Sequence, residues 1–261
     1  MHKEESLEFS AGERLYNPQA KLADDVMGGV REHLDRYAFA LEHIKDGDTV
    51  VDAASGSGYG SEMLASRAAK VYGLEVSDHA LGYARANHQR NNIEFMQADL
   101  GARIPLSDAS ADFIVSFETL EHIVSQDLFL SELSRILKKD GRLLISTPDK
   151  DLISGGIESD NPFHLKELTK RGFIDLLSHY FVIDSLYGQA QVINLPLWKC
   201  ILKSVRRITF IRKCKQRIVQ MMGLTAVVHR NLAAEKYTPI EATSVDGENR
   251  FYVLIALCRK K

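Results

Sequence analysis

A chain of 261 residues, 45% hydrophobic and 26% charged, has the balance of a folded globular protein, with room for one large domain or a domain and a lid. A formal charge of −2 excludes an overall bias toward nucleic acid. No uncharged apolar run reaches the ~20 residues of a membrane span, and three scattered cysteines, Cys200, Cys214 and Cys258, exclude a disulfide framework.

The N-terminus is polar, without the apolar core of a secretory signal, so the expected location is the cytoplasm, or its face of the inner membrane. Residues 1–30 read as an irregular arm or lid, punctuated by Gly12, Pro18 and Gly28-Gly29, with Tyr16 as a candidate lid residue. From Arg31 to Ile44 the apolar positions Leu34, Tyr37, Ala38, Leu41 and Ile44 fall at helical spacing. Thr49-Val50-Val51 is a β-branched strand, followed by a glycine-rich turn and a helix from Ser61 to Ala69. A second strand, Lys70 to Leu74, ends in Glu75. Asp78 is placed to cap a helix from His79 to Gln89, and Ile93 to Met96 is a short third strand. A fourth strand starts at Ala111. Leu128 to Leu137 is an amphipathic helix, with Lys138-Lys139 suited to its C-terminal dipole end. A fifth strand ends at Pro148. Pro162-Phe163-His164 leads into a helix from Lys166 to Ser178, and Phe181 to Tyr187 and Phe251 to Leu257 are the last strands. Strands alternating with helices predict a parallel α/β sheet.

The glycine turn, Asp52-Ala53-Ala54-Ser55-Gly56-Ser57-Gly58-Tyr59-Gly60, is spaced G-x-G-x-G rather than G-x-G-x-x-G. Glycines there allow a sharp turn and close approach of a ligand to backbone. Glu75, at the tip of the second strand, is placed to accept hydrogen bonds from ribose hydroxyls.

These residues resemble motif I and the second-strand acid of the class I S-adenosylmethionine (SAM)-dependent methyltransferases. The likeness continues in order through Met96-Gln97-Ala98-Asp99-Leu100, then Ala111 to Ile123, then Ile136 to Pro148. It implies a Rossmann-like seven-stranded mixed sheet, six strands parallel and the last antiparallel between the fifth and sixth, with helices on both faces. The implied core is 31–187 with 250–261, and 188–249 is an insertion before the last strand. SAM is the implied cofactor and S-adenosylhomocysteine the product. By the same likeness Gly56, Gly58 and Gly60 receive the methionine portion, Asp52 lies near its ammonium, and Glu75 holds the ribose. Asp99 accepts from the adenine amino group, Leu100 and Met96 flank the ring, and Val76, Phe117 and Glu118 complete the lining.

Methyl transfer to oxygen needs a base, or a metal that acidifies the acceptor. The candidate catalytic residues are Glu121 and His122, after the fourth strand, and His164, after the fifth. Each has a plainer reading as a cap or a loop anchor. The helix carrying His33, Arg36 and Tyr37 is a third acceptor-side element. No metal-ligand spacing is visible in the sequence, and whether a metal is needed stays open. Glu32 to Phe39, the glycine turn, Pro162-Phe163-His164 and Tyr187-Gly188-Gln189 further resemble methyltransferases of bacterial glycan and lipopolysaccharide biosynthesis. The implied acceptor is a sugar, glycolipid or other small metabolite. The alternatives are a non-catalytic SAM-binding scaffold, a nicotinamide-dependent oxidoreductase and an RNA methyltransferase.

Residues 185–234 hold nine cations and no acid, leaving −11 for the rest of the chain. On a helix, 197–222 presents Trp198, Ile201, Leu202, Val205 and Ile208 on one side and Lys199, Lys203, Arg206, Lys213 and Arg217 on the other. Three uses compete: a lid packed on the core, a contact with an anionic membrane surface or lipid-linked substrate, and, ranked last, nucleic-acid binding.

Overall fold

The computed structural model describes residues 24–153, 155, 161–191, 240–243 and 251–261. The arm before residue 24, Tyr16 and the cationic stretch 197–222 lie outside them. In chain order the elements are α1 (Asp24–Leu41), β1 (Thr49–Ala53), α2 (Tyr59–Leu64), β2 (Lys70–Glu75), α3 (Asp78–Asn87), β3 (Ile93–Gln97) and β4 (Ala111–Ser116). A 3-10 turn (Leu120–His122) follows, then α4 (Gln126–Ile136), β5 (Leu137–Pro148), α5 (Lys150–Ile153), α6 (Lys170–Tyr180), β6 (Phe181–Gln191), β7 (Ile240–Thr243) and β8 (Phe251–Lys260).

The sheet order is β3-β2-β1-β4-β5-β8-β6-β7. β1 to β5 pair in parallel, and β8 runs antiparallel between β5 and β6. This is the expected seven-stranded mixed sheet. A short further strand, β7, pairs antiparallel with β6 through Leu186 to Gln189, so the sheet edge reaches into the span expected to be insertion.

Side-chain alternation along the strands divides the core between two faces. Val50, Val71, Phe113, Val115, Leu144 and Ile255 face α1 and α2. Val51, Leu74, Ile114, Leu143, Ile145 and Ala256 face α4 and α6. Both faces of the central strands are buried, which explains why their sequences are continuous apolar runs.

Two local expectations change. Ser77, not Asp78, caps α3: its hydroxyl accepts from the Ala80 N–H at 3.3 Å. The helix expected to reach Leu137 ends one residue earlier, at Ile136, because Leu137 turns extended and pairs with Ala111 across an irregular register, so Lys138 and Lys139 follow the helix end within β5. Lys138 then reaches Asp112 at 2.7 Å.

Two glycines show how closely the first helices seat on the sheet. A Cβ at Gly60 would lie 2.0 Å from the Tyr37 ring of α1, whereas one at Gly82, exposed in α3, would meet nothing within 4 Å. Gly60→Ala should therefore destabilise the fold by about 2 kcal/mol or more through overpacking, and Gly82→Ala should stabilise it by about 0.5–1 kcal/mol. Urea unfolding of the two variants checks this; shifts of the same sign would contradict the packing described.

Candidate active site

The chain order reverses between β1 and β4: β2 and β3 lie on one side of β1, β4 and β5 on the other. In open α/β sheets the crevice at the carboxyl ends of such strands is where ligands bind. The expected cofactor residues converge there, and the glycine loop has three different jobs within it. Gly58 (φ +88°) must be glycine for its backbone and because a Cβ would sit 2.7 Å from Phe95 and 2.8 Å from Ala84. Gly60 accommodates Tyr37. Gly56 (φ +54°) faces open space, so of the three its Cα is the one a ligand can approach.

Glu75 links the loops leaving β1 and β2. Its Oε2 accepts from the Gly56 N–H at 3.1 Å and its Oε1 from the Ser77 N–H at 2.9 Å. The residue is only 8% exposed, yet an ionised carboxylate keeps acceptor capacity beyond two bonds. Val76 beside it is exposed, an apolar side chain with no core to join. Asp99 is exposed and holds the Gly101 N–H at 2.8 Å, while Leu100 beneath it is buried.

Asp52 is buried at the end of β1. It accepts from Tyr37 Oη at 3.0 Å and Ser61 Oγ at 2.7 Å, tying α1 and α2 to the strand. Burial, against these two hydroxyls, lifts its carboxyl to about 6. Burial likewise pushes the Tyr37 hydroxyl well above its usual range. The Tyr37 ring packs edge-on against Phe117, 5.0 Å between centroids, and against Tyr59 at 5.6 Å. Arg36, one turn position away, is 2% exposed. Among the described residues its guanidinium makes one hydrogen bond, Nη1 to Gln189 Oε1 at 2.7 Å, and its Nε has no partner. The Ser55 hydroxyl in the glycine loop is also buried without a partner. Most buried polar atoms in folded proteins find a hydrogen-bond partner.

The other half of the crevice lies after β4 and β5. Glu118 adopts φ +50°, a strained conformation for a side-chain-bearing residue. Ser146 of β5 holds it there, accepting from the Glu118 N–H at 3.1 Å and donating to Oε1 at 2.9 Å. Glu121 is buried and accepts from Thr147 Oγ1 at 3.0 Å. Burial first, then repulsion from Glu118, pushes its carboxyl up to about 8. Its backbone carbonyl accepts from the N–H groups of Leu165 and Lys166 at 2.9 and 3.1 Å, and Gln126 Nε2 donates to Leu120 O and Lys166 O, both at 2.9 Å.

Those bonds bring the Pro162-Phe163-His164 segment onto the 3-10 turn. His122 Nδ1 donates to the Phe163 carbonyl at 2.8 Å, His164 Nδ1 pairs with Glu167 Oε1 at 2.5 Å, and the two rings meet edge-on with centroids 5.1 Å apart. One potential ligand atom from each of Glu121, His122 and His164 lies within 4.8 Å of the other two. The fold makes this cluster from two loops far apart in sequence, which is why no ligand spacing is visible in the sequence itself. Ser146, Thr147 and Glu167 are supporting groups that the sequence did not single out. The i,i+3 pairing of His164 with Glu167 was the one signal that spacing alone could have revealed.

Residues 51–145 match the family described as a methyltransferase domain. The chain has the class I SAM-dependent methyltransferase fold. It is 36% identical over 138 residues to a Mycolicibacterium smegmatis protein named a probable SAM-dependent methyltransferase, covering 52% of each chain. A similarly named Mycobacterium tuberculosis protein is 37% identical over 136 residues, covering 52% of this chain and 48% of that one. A fatty-acid O-methyltransferase of M. smegmatis is 28% identical over 43% of this chain and 44% of its own. This chain thus spans about half the length of the curated relatives it matches.

Among solved structures, an SAM-dependent methyltransferase from Thermotoga maritima superposes with a TM-score of 0.58 at 16% identity, over 89% of this chain and 91% of that one. The cyclase SpnF does so with 0.55 at 17% identity, over 88% and 81%. That a cyclase shares the architecture shows why function must be argued from the site rather than the fold.

The Asp52 carboxyl yields a pH test. Its folded pKa lies above the unfolded value of 3.8, so its contribution to stability is full below that value and is lost as pH rises through about 6. Wild type minus Asp52→Asn should therefore decline by roughly 2–3 kcal/mol between about pH 4 and about pH 7 in denaturant titrations. A difference independent of pH would contradict the buried, hydroxyl-held carboxyl.

Proposed function

We propose that this chain transfers the methyl group of SAM to an oxygen of a small acceptor, a sugar, glycolipid or similar metabolite. The sulfonium carbon–sulfur bond breaks as the methyl–oxygen bond forms, the acceptor hydroxyl gives up a proton, and S-adenosylhomocysteine leaves. The carrying observation is the convergence of Glu121, His122 and His164 after β4 and β5, beside the crevice that the glycine loop and Glu75 form after β1 and β2.

On the cofactor side, Glu75 takes the ribose hydroxyls. Asp99 takes the adenine amino group, with Val76, Met96 and Leu100 against the ring. Asp52 and the open face of Gly56 accompany the methionine ammonium and backbone. Arg36 is the partner we assign to the methionine carboxylate, because among the described residues its buried guanidinium makes one hydrogen bond and its Nε has none. Its charge is felt by Glu32, whose carboxyl burial raises, and Glu32 in turn feels Glu118. Glu118 also acts on Glu121. The cofactor half and the acceptor half are therefore within electrostatic reach of each other.

On the acceptor side, transfer requires oxygen, methyl carbon and sulfur in line, so rigid placement matters more than any single contact. The Ser146–Glu118 and Thr147–Glu121 pairs supply it from β5. The group collecting the acceptor proton belongs to the Glu121–His122–His164 cluster. An acceptor carrying phosphate or a lipid anchor suits the cationic stretch 197–222, which an RNA acceptor would also use. Among the described residues no helix is long and apolar enough to cross a membrane.

The test is transfer of labelled methyl from SAM to a panel of sugars, lipid-linked glycans, fatty acids and RNA. We expect label in a hydroxyl-bearing small molecule or glycolipid, and a loss of at least ~100-fold in kcat for His122→Ala with S-adenosylhomocysteine affinity kept. Label in RNA alone, or cofactor binding with no transfer to any acceptor, would replace this reading with the RNA-modifying or the scaffold one.

A further inference from the structure

We infer that Glu121, His122 and His164 bind a divalent transition-metal ion through one carboxylate oxygen and the two imidazole Nε2 atoms.

Three features carry this beyond proximity. The first is the donor set. Two imidazoles and one carboxylate, each offering an atom within 4.8 Å of the others, are a set that zinc, cobalt, manganese and iron(II) accept, and three protein ligands leave coordination positions open.

The second is the hydrogen bonding behind the rings. A metal-binding imidazole characteristically donates its other N–H to a carbonyl or a carboxylate, which fixes the tautomer and aims the lone pair. Both histidines do so. His122 Nδ1 is bound to the Phe163 carbonyl, which can only accept, so the basic nitrogen is Nε2. His164 Nδ1 is bound to Glu167, whose side chain is 2% exposed, so its basic nitrogen is also Nε2. A pair of histidines kept only for packing would not need one buried carboxylate and one aligned carbonyl behind them.

The third is Glu121 itself, 1% exposed and oriented by Thr147 Oγ1 at 3.0 Å. That bond ties the carboxyl to β5 and holds one of its oxygens beside the two rings, so the third donor is fixed in place by the strand.

The role of the ion, though not its binding, rests on the methyl-transfer reading. An acceptor hydroxyl in an open coordination position would be acidified by the ion and its proton released more readily. The rings would then act as ligands that hold the acceptor oxygen rather than as bases in their own right.

The experiment is calorimetric titration of the full, chelator-stripped chain with Co2+, followed by visible absorption of the cobalt form. We expect one equivalent bound with micromolar or tighter affinity and ligand-field bands in the visible. His122→Ala and His164→Ala should each weaken binding at least ~10-fold. Glu167→Gln, which alters only the support behind His164, should weaken it ~10–100-fold with S-adenosylhomocysteine affinity unchanged. Retained cofactor affinity shows that each variant is folded. Absence of binding up to millimolar Co2+, or binding indifferent to all three substitutions, would overturn the site. Methyl transfer that survives chelation in a protein that binds no Co2+ would overturn it while leaving the methyl-transfer reading intact. Co2+ binding that follows the three substitutions, without transfer to any acceptor, would uphold the site and remove only the role given to the ion.

Discussion

A single carboxylate holds together the two loops that leave β1 and β2. Glu75 accepts backbone N–H groups from two different loops, Gly56 after β1 and Ser77 after β2. Neither loop can move alone without leaving a backbone donor unsatisfied near a buried acid, a loss on the order of 1–3 kcal/mol. The bond to Gly56 sets the glycine turn where Gly58 must fit under Phe95 and Gly60 under Tyr37. Tyr37 in turn reaches Asp52, and Asp52 reaches Ser61. The chain of contacts therefore runs from one strand-end acid to the next through the glycine loop, and fixes α1 and α2 against the sheet.

The crevice after β4 and β5 is built on the same plan from different residues. Backbone strain at Glu118 is held by Ser146, and the buried acid Glu121 is held by Thr147, adjacent residues of β5 that project to opposite faces. The Pro162-Phe163-His164 segment is then fastened to the 3-10 turn through the carbonyls of Leu120, Glu121 and Phe163. A shallow cleft at the other end of the sheet, bordered by Ile174, Phe181 and Leu186, holds none of these groups. Preorganisation of this type suits a reaction in which alignment supplies much of the rate.

How much of this was legible in the sequence depends on the range of the interaction. The strands and helices of the core were legible because β-branched runs, turn residues and helical spacing are local signals, whereas the antiparallel last strand was implied only by the resemblance of the ordered motifs to the methyltransferases. The glycine turn and Glu75 were legible for the same reason. Helix ends were less so: Ser77 and Asp78 are both good caps, and only the backbone geometry chooses. The end of α4 at Ile136 shows only when Leu137 is seen to pair with Ala111. The Glu121–His122–His164 cluster was visible only as separate candidates. Ligand spacing within one loop can be read from sequence, but a set shared by loops after two parallel strands depends on the crossover between them. The incomplete bonding of Arg36 was invisible altogether, since satisfaction of a buried group is a property of the packed chain.

The claim on which everything else stands is that the crevice around Glu75 holds the adenosyl cofactor. Calorimetric titration of the protein with S-adenosylhomocysteine, in wild type and Glu75→Ala, tests it most directly. The account predicts micromolar binding in the wild type and a loss of at least ~10-fold, about 1.4 kcal/mol, in the variant. Equal binding in both proteins, or none in the wild type, would contradict it.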